Sequence, residues 1–281
     1  MKVCIAQTRS AKGDIAENLH RHIWIIRQAL PFQPDLIVFP ELSITNYEPE
    51  LAQVLAISID DERFNALQEL ADKNDVYLAV GAPTRTPHGI NISLLILRPQ
   101  QERLIYSKRL LHEDELPYFV SGHQQPTLEI KGKRIALGIC YETLQRSRFL
   151  SAAETGADLF VASVAKPDRG TDKAYVHFPA MAKEFGLPIL MANCVGPCDD
   201  FLSTGKSAVW DITGKLISQL NEGNEGLLIY NTSTTKTEAL QYNFERAQPA
   251  ELEKVVSIYQ STKDHLNQNG IEQWTAQYPN P

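Results

Sequence analysis

Residues 135–162, IALGICYETLQRSRFLSAAETGADLFVA, contain one complete strand–helix–strand unit. The apolar run Ile135–Ile139 predicts a strand, residues 145–155 predict a helix, and Leu159–Ala162 predicts a second strand. Both runs are continuously apolar, which is typical of strands that are covered on both faces. This stretch therefore predicts an α/β protein in which helices pack against the sheets.

The same alternation of apolar strands and amphipathic helices extends in both directions along the chain. Strands are predicted at Val3–Ala6, Asp35–Phe39, Val76–Val80 and Pro188–Ala192, and helices at Asn18–Leu30, Asp61–Asn74 and 175–185. Hairpins at residues 92–106 and 207–229 predict sheets that are mixed and not purely parallel. No linker or repeat divides residues 1–281, which predicts a single domain. The polar stretch after about residue 231 predicts a C-terminal extension that packs on a neighbour or a second subunit.

Composition excludes several classes of protein. With 281 residues, 43% of them hydrophobic, the chain can bury a large core. Its net charge of -7 argues against a nucleic-acid partner, which requires clustered Lys and Arg. No apolar stretch approaches the roughly 18–20 residues that cross a bilayer, and no secretory signal is evident, so we expect a cytoplasmic protein without a membrane partner. Its four cysteines are interpreted as free thiols.

Three reactive side chains directly follow predicted strands, the position at which open α/β sheets usually place their sites. Glu41 follows the run that ends at Pro40, Lys108 follows a strand at residues 102–106, and Cys140 follows Ile135–Ile139. A desolvated carboxyl exchanges protons near neutral pH, a lysine stabilises an oxyanion, and a thiol is a nucleophile. Each residue taken alone also fits an ordinary role: an exposed loop carboxylate, a solvated lysine or a buried core cysteine.

Other reaction types have little support in the sequence. A cysteine–histidine pair would need a histidine base, but the histidines are scattered, and His112 and His177 are interpreted as structural. Cys194 and Cys198 lack a second pair at metal-ligand spacing, so no metal is expected. Phosphate-binding and dinucleotide-binding glycine motifs are absent, so no cofactor is expected.

Several short motifs, in a fixed order, cover nearly the whole chain. They are Phe39-Pro-Glu41, Tyr106-Ser-Lys108, Gly138-Ile-Cys140-Tyr-Glu142, Ala182-Lys-Glu184, Ala192-Asn-Cys-Val-Gly196, Gly205-Lys-Ser207 and Asp211-Ile-Thr-Gly214. In order and spacing, this set resembles the nitrilase superfamily of carbon–nitrogen hydrolases. The chain departs from the family pattern at Met181, where an arginine is common, and after Tyr141, where an acidic-Arg-Phe-Pro run is usual.

The resemblance implies a four-layer αββα sandwich with two mixed β-sheets and a Glu-Lys-Cys triad. It implies that Glu41 is the general base, Lys108 the oxyanion stabiliser and Cys140 the nucleophile. The spacing to Phe119 and Gly122 favours Glu115 over Glu113 as a second family glutamate. Tyr141, through its backbone N–H, and Glu142 are expected to contact the oxyanion or the substrate. A homodimer or higher homo-oligomer is expected.

The function implied is that of an amidase, cleaving a non-peptide C–N bond of a small amide through a thioester. Hydrolysis of N-carbamoyl amides is the alternative, and nitrile hydrolysis a more distant one. A non-catalytic binding protein on the same fold has no chemical need for all three triad residues. The positive charge of Lys108 is expected to favour the Cys140 thiolate.

Loops around residues 112–123, 164–177 and 194–204 are expected to shape the substrate pocket. Within the second of these, a solvated loop is predicted for four charged residues, Asp168, Arg169, Asp172 and Lys173. Contacts from these residues to a charged substrate are the alternative.

Overall fold

The computed structural model describes residues 1–242 and 249–268. The strands of this part of the chain are β1 (Lys2–Gln7), β2 (Leu36–Val38), β3 (Tyr77–Thr86), β4 (Gly89–Leu97), β5 (Leu104–Ser107), β6 (Leu128–Ile130), β7 (Lys133–Ile139), β8 (Leu159–Val164), β9 (Ile189–Asn193), β10 (Val195–Cys198), β11 (Phe201–Thr204), β12 (Ala208–Trp210), β13 (Leu216–Gln219), β14 (Glu225–Asn231) and β15 (Lys236–Tyr242). The helices are α1 (Ile15–Ala29), α2 (Ala52–Leu55), α3 (Asn65–Asn74), α4 (Arg146–Glu154), α5 (Asp168–Phe185) and α6 (Leu252–Gln268).

Two large mixed sheets form the framework, as predicted. The first has seven strands in the order β15-β14-β1-β2-β3-β4-β5, in which β1, β2 and β3 are parallel to one another. The second has six strands in the order β13-β12-β9-β8-β7-β6, with β7, β8 and β9 parallel. The remaining neighbours pair antiparallel, and β10 and β11 form a separate hairpin.

The layers follow from three apolar cores. One core joins the facing sides of the two sheets and includes Ile5, Val38 and Ile96 from the first and Leu137 and Val161 from the second. A second core packs α1 and α3 on the outer face of the first sheet, and a third packs α4 and α5 on the second. The predicted αββα sandwich is therefore confirmed.

Two predicted boundaries were wrong. Strand β3 does not end at Val80 but continues to Thr86 and pairs with β4 along its length, because Gly81 and Pro83 lie inside the strand and do not break it. Helix α5 begins at Asp168, seven residues before the predicted start, so the charged residues between 168 and 173 are exposed on a helix and not in a loop.

The described chain divides into two units, of which the first covers residues 1–242. Strand β15 belongs to the first sheet, so residues 236–242 are part of the sandwich. Helix α6 belongs to the second unit. Packing of a C-terminal extension on a partner stays a prediction. Among residues 1–242 and 249–268, no helix is both long and apolar enough to cross a bilayer.

Candidate active site

The predicted triad is assembled from the ends of strands in both sheets. Glu41 follows β2 after Phe39 and Pro40, and Lys108 follows β5, both in the first sheet. Cys140 directly follows β7 in the second sheet. The Ser163 hydroxyl on β8 donates a hydrogen bond to the Phe39 carbonyl at 2.8 Å, which ties the second sheet to the Glu41 loop.

A buried ion cluster surrounds Lys108. Its Nζ donates to Glu41 Oε1 at 2.8 Å and to Glu115 Oε1 at 2.6 Å, and all three side chains are almost fully buried. The Tyr47 hydroxyl donates to Glu115 Oε1 at 3.1 Å and so holds the second carboxylate in place. Glu113 is exposed, so the geometry brings Glu115 and not Glu113 into the cluster.

The cluster shifts the pKa values of its members in a definite direction. Burial raises the pKa of Glu41, and the negative charge of Glu115 adds to this, against the opposing pull of Lys108. Burial by itself lowers the pKa of Lys108, but the two carboxylates raise it above its ordinary value. Lys108 therefore stays protonated, while Glu41 is suited to accept and return a proton. Glu41 Oε2 has no hydrogen-bond partner within the described residues and is free to do so.

Cys140 occupies a strained turn at the end of β7. Its φ of 40° lies in the left-handed region, which is uncommon for a non-glycine residue. The Thr143 hydroxyl donates to the Cys140 carbonyl at 2.6 Å and closes the turn, while the thiol donates to the Ala165 carbonyl at 3.6 Å. Gly138 lets the backbone of β7 lie close to the Phe160 ring, because a Cβ at this position would be 2.7 Å from that ring.

The surroundings of the Cys140 thiol favour its protonated form. Burial, together with the charge of Glu41, raises its pKa to about 12, and the lysines only partly oppose this effect. The charge of Lys108 acts in the expected direction, towards the thiolate, but burial and the charge of Glu41 outweigh it. A sulfur in this state must lose its proton before it can act as a nucleophile, and a carboxylate such as that of Glu41 is suited to accept it.

Glu142 does not face the reacting groups. Its Oε1 accepts hydrogen bonds from the Tyr106 hydroxyl at 2.6 Å and from the Ile139 N–H at 3.0 Å, and its Oε2 accepts from the Arg109 N–H at 2.9 Å. The predicted contact of Glu142 with the oxyanion or the substrate does not fit this geometry. The fully buried carboxylate instead fixes the Cys140 turn against the residue that follows Lys108.

Tyr141 is the second residue of the short 3₁₀ turn Cys140–Leu144. The first N–H groups of such a turn have no partner inside it, so the Tyr141 N–H is suited to bind an anion beside the sulfur. The ring of Tyr141 packs edge-on against His112, with ring centroids 5.2 Å apart.

Lys166 is a residue of the site that the sequence analysis missed. It follows β8 after Ala165, and its Nζ lies 3.8 Å from Cys140 Sγ. The side chain is buried. The signal was present, because Lys166 follows an apolar strand in the same way as Glu41, Lys108 and Cys140.

The remaining cysteines are free thiols, as predicted. Cys194 and Cys198 are buried with their sulfur atoms 3.6 Å apart, and Cys194 is hydrogen-bonded to the Ser203 hydroxyl at 3.1 Å. Across residues 1–242 and 249–268, no group of three or more His, Cys, Asp or Glu side chains has a metal-binding arrangement.

An αββα sandwich with a cysteine, a carboxylate and an ammonium group at the joined strand ends defines a class of cysteine-dependent hydrolases. The chain belongs to the carbon–nitrogen hydrolase family, whose model matches residues 2–242, and so to the nitrilase superfamily. It is therefore an enzyme that hydrolyses C–N bonds.

Two relatives are similar to this chain over most of their length. A probable nitrilase of Schizosaccharomyces pombe is 27% identical, covering 87% of this chain and 93% of the relative. An (R)-stereoselective amidase of a Pseudomonas species is 28% identical, and the match covers 77% of this chain and 80% of the relative. The chain also matches glutamine-dependent NAD(+) synthetases and spans about half (51%) of the one from Acinetobacter baylyi.

Among solved structures, the chain resembles an amidase from Nesterenkonia sp. AN1. The TM-score is 0.74 at 25% identity, and the match covers 82% of this chain and 89% of the other. That structure carries the acetamide moiety of fluoroacetamide covalently added to its active-site cysteine.

Proposed function

We propose that this enzyme is an amidase that hydrolyses a small amide to ammonia and a carboxylic acid through a thioester on Cys140. The observation that carries the proposal is the hydrogen bond of 2.8 Å between Lys108 Nζ and Glu41 Oε1, beside the Cys140 thiol. The charge of Glu41 is also among the causes that raise the pKa of the Cys140 thiol, which supports the closeness of these two groups.

In the acylation half of the reaction, Glu41 accepts the proton of the Cys140 thiol as the sulfur attacks the amide carbon. The carbonyl electrons move to oxygen, which the Lys108 ammonium and the Tyr141 N–H stabilise. Glu41 then delivers its proton to the amide nitrogen, the C–N bond breaks, and ammonia leaves. The product is an acyl thioester of Cys140.

Deacylation repeats the same proton transfers with water. Glu41 removes a proton from water, and the oxygen attacks the thioester carbon. When the tetrahedral intermediate collapses, the C–S bond breaks and the proton on Glu41 returns to sulfur. Glu115 accepts hydrogen bonds from Lys108 Nζ and from the Tyr47 hydroxyl in both halves of the reaction. Its role is to keep Lys108 protonated and oriented.

The test is ammonia release from three matched series of compounds: short primary amides, N-carbamoyl amino acids and nitriles. We expect turnover of the amides, and its loss in Cys140→Ala. An acyl adduct on the wild-type enzyme, seen by intact-mass spectrometry with a slowly hydrolysed amide, would identify the thioester. Lys183→Met, which changes an exposed lysine, serves as a control with unchanged activity.

Each alternative has its own signature in the same assay. Release of carbon dioxide together with ammonia, from the carbamoyl series alone, would identify an N-carbamoyl amide hydrolase. Turnover restricted to nitriles would identify a nitrilase. Ammonia release by Cys140→Ala at the wild-type rate would refute the proposal, because no thioester can form in that variant.

A further inference from the structure

Lys166 places a second ammonium group at the nucleophile. Its Nζ lies 3.8 Å from Cys140 Sγ, and the residue is only 3% exposed. In the part of the chain that the structure describes, no carboxylate lies within 4.0 Å of this ammonium. Burying a cation without a counter-ion costs free energy, so we expect Lys166 to interact with a negative charge that forms during the reaction.

The position of Lys166 is fixed by its backbone. Its N–H donates to Asn193 Oδ1 at 2.8 Å, and its carbonyl accepts from the Ser203 hydroxyl at 2.9 Å and the Thr204 N–H at 3.2 Å. Asn193 also donates to the same carbonyl at 3.2 Å. These bonds hold the residue from two neighbouring segments, so the approach of its side chain to the sulfur is built into the fold.

Lys108 and Lys166 differ in what they neutralise. Lys108 is engaged with the carboxylates of Glu41 and Glu115. When the thiol proton moves to Glu41, negative charge leaves one of those carboxylates and appears on Cys140. Lys108 then keeps Glu115 as its counter-ion, and Lys166 acquires the thiolate.

We propose that Lys166 is a fourth catalytic residue, which stabilises the Cys140 thiolate formed when the thiol proton moves to Glu41. The geometry is independent of the leaving group, because only the sulfur and the base take part in this step. For turnover of an amide, the inference rests on the proposed function. For formation of the thiolate it does not.

The charged groups around the sulfur agree with this role. Glu41 and Glu115 raise the pKa of Cys140, whereas Lys166 and Lys108 lower it, with Lys166 the stronger of the two lysines. His177 on α5 also lies near Lys166, and burial together with Lys166 lowers its pKa. Lys166 is thus the main cation that favours negative charge on the sulfur.

The test measures thiolate formation directly, with the full-length enzyme and iodoacetamide. Alkylation of Cys140 is followed by mass spectrometry of the tryptic peptide 135–146, which contains no other cysteine. Because the rate depends on the thiolate fraction, we expect Lys166→Met to lower it by at least about tenfold at pH 9, equivalent to a pKa rise of about one unit. Lys166→Arg keeps the charge, and we expect it to retain most of the rate.

Two further variants make the result decisive. Lys166→Gln repeats the loss of charge with a polar side chain, in case the methionine variant does not fold, and Lys183→Met removes an exposed lysine. An alkylation profile in Lys166→Met or Lys166→Gln that matches Lys183→Met would overturn the proposal. So would an unchanged profile with a raised KM confined to carboxylate-bearing amides, since that result assigns Lys166 to substrate binding.

Discussion

A methyl group added at Gly81, on the strand beside the Glu41 loop, is expected to disable the enzyme without touching the triad. A Cβ at this position would lie 2.3 Å from the Pro40 carbonyl oxygen and 2.4 Å from the Leu42 nitrogen. Both atoms belong to backbone, so neither can rotate away. The loop must retreat by about 1 Å before these contacts become ordinary, and a displacement of this size at a catalytic group costs roughly 100-fold in rate.

The loop cannot move freely to accommodate the methyl group. The Ile44 N–H donates to the Gly81 carbonyl at 2.9 Å, and the Gly81 N–H donates to the Ser43 hydroxyl at 3.2 Å. Movement that relieves the clash therefore strains these hydrogen bonds. We expect Gly81→Ala to lower the free energy of unfolding by about 1–3 kcal/mol, the range typical of an overpacked interior.

The assay compares kcat/KM for ammonia release with the unfolding free energy measured in urea. Gly223→Ala is the matched control, because Gly223 is exposed and a Cβ there would meet no atom within 4 Å. We expect about a 100-fold loss for Gly81→Ala in protein that is still folded, and none for the control. Equal kcat/KM for the two variants would refute the claim that Gly81 sets the position of Glu41.

Three other predictions test the charges and the assembly. Lys108→Met leaves the Glu41 and Glu115 carboxylates without their cation, so the free energy of unfolding at pH 7 should fall by about 3–5 kcal/mol. Part of this loss should be recovered at pH 5, because one carboxyl is then protonated. Urea titrations that show the same loss at both pH values would contradict this prediction. Burial lowers the pKa of His22 from 6.5 to about 4, so stability should fall by about 3 kcal/mol as pH drops from 6.5 to 4 and the unfolded chain takes up a proton. A His22→Asn variant should flatten that part of the stability curve, and an unchanged slope would count against the argument. A homodimer or higher oligomer is expected in light scattering coupled to gel filtration, and a monomeric mass at all concentrations contradicts it.

Local apolar patterns predicted an α/β protein with mixed sheets, whereas the sandwich and the choice of Glu41, Lys108 and Cys140 came from the order of the motifs, through their resemblance to the nitrilase superfamily. Apolar runs identify buried strands, and a reactive side chain directly after such a run lies at the sheet edge where others meet it. Glu41, Lys108 and Cys140 each carry this signal. The choice of Glu115 came from spacing to Phe119, and the buried hydrogen bond to Lys108 agrees with it.

The features that were missed depend on tertiary contacts. Gly81 and Pro83 resemble strand breakers, but close approach of the Glu41 loop requires the glycine within β3. The raised pKa of Cys140 depends on how far the surrounding fold removes the thiol from water, which residue order does not reveal. Glu142 adjoins the nucleophile in sequence, yet hydrogen bonds to Tyr106 and the Arg109 N–H turn its carboxylate away from the reaction.

The division of the site between two sheets has a consequence for the nascent chain. Glu41 and Lys108 follow strands of the sheet that β14 and β15, at the end of the first unit, complete beside β1, whereas Cys140 and Lys166 follow strands of the other sheet. Neither half of the sandwich alone holds both a base and a nucleophile. A ribosome-bound chain that has not yet released residues 225–242 lacks the completed first sheet, so we expect the enzyme to become active only after synthesis has passed that point.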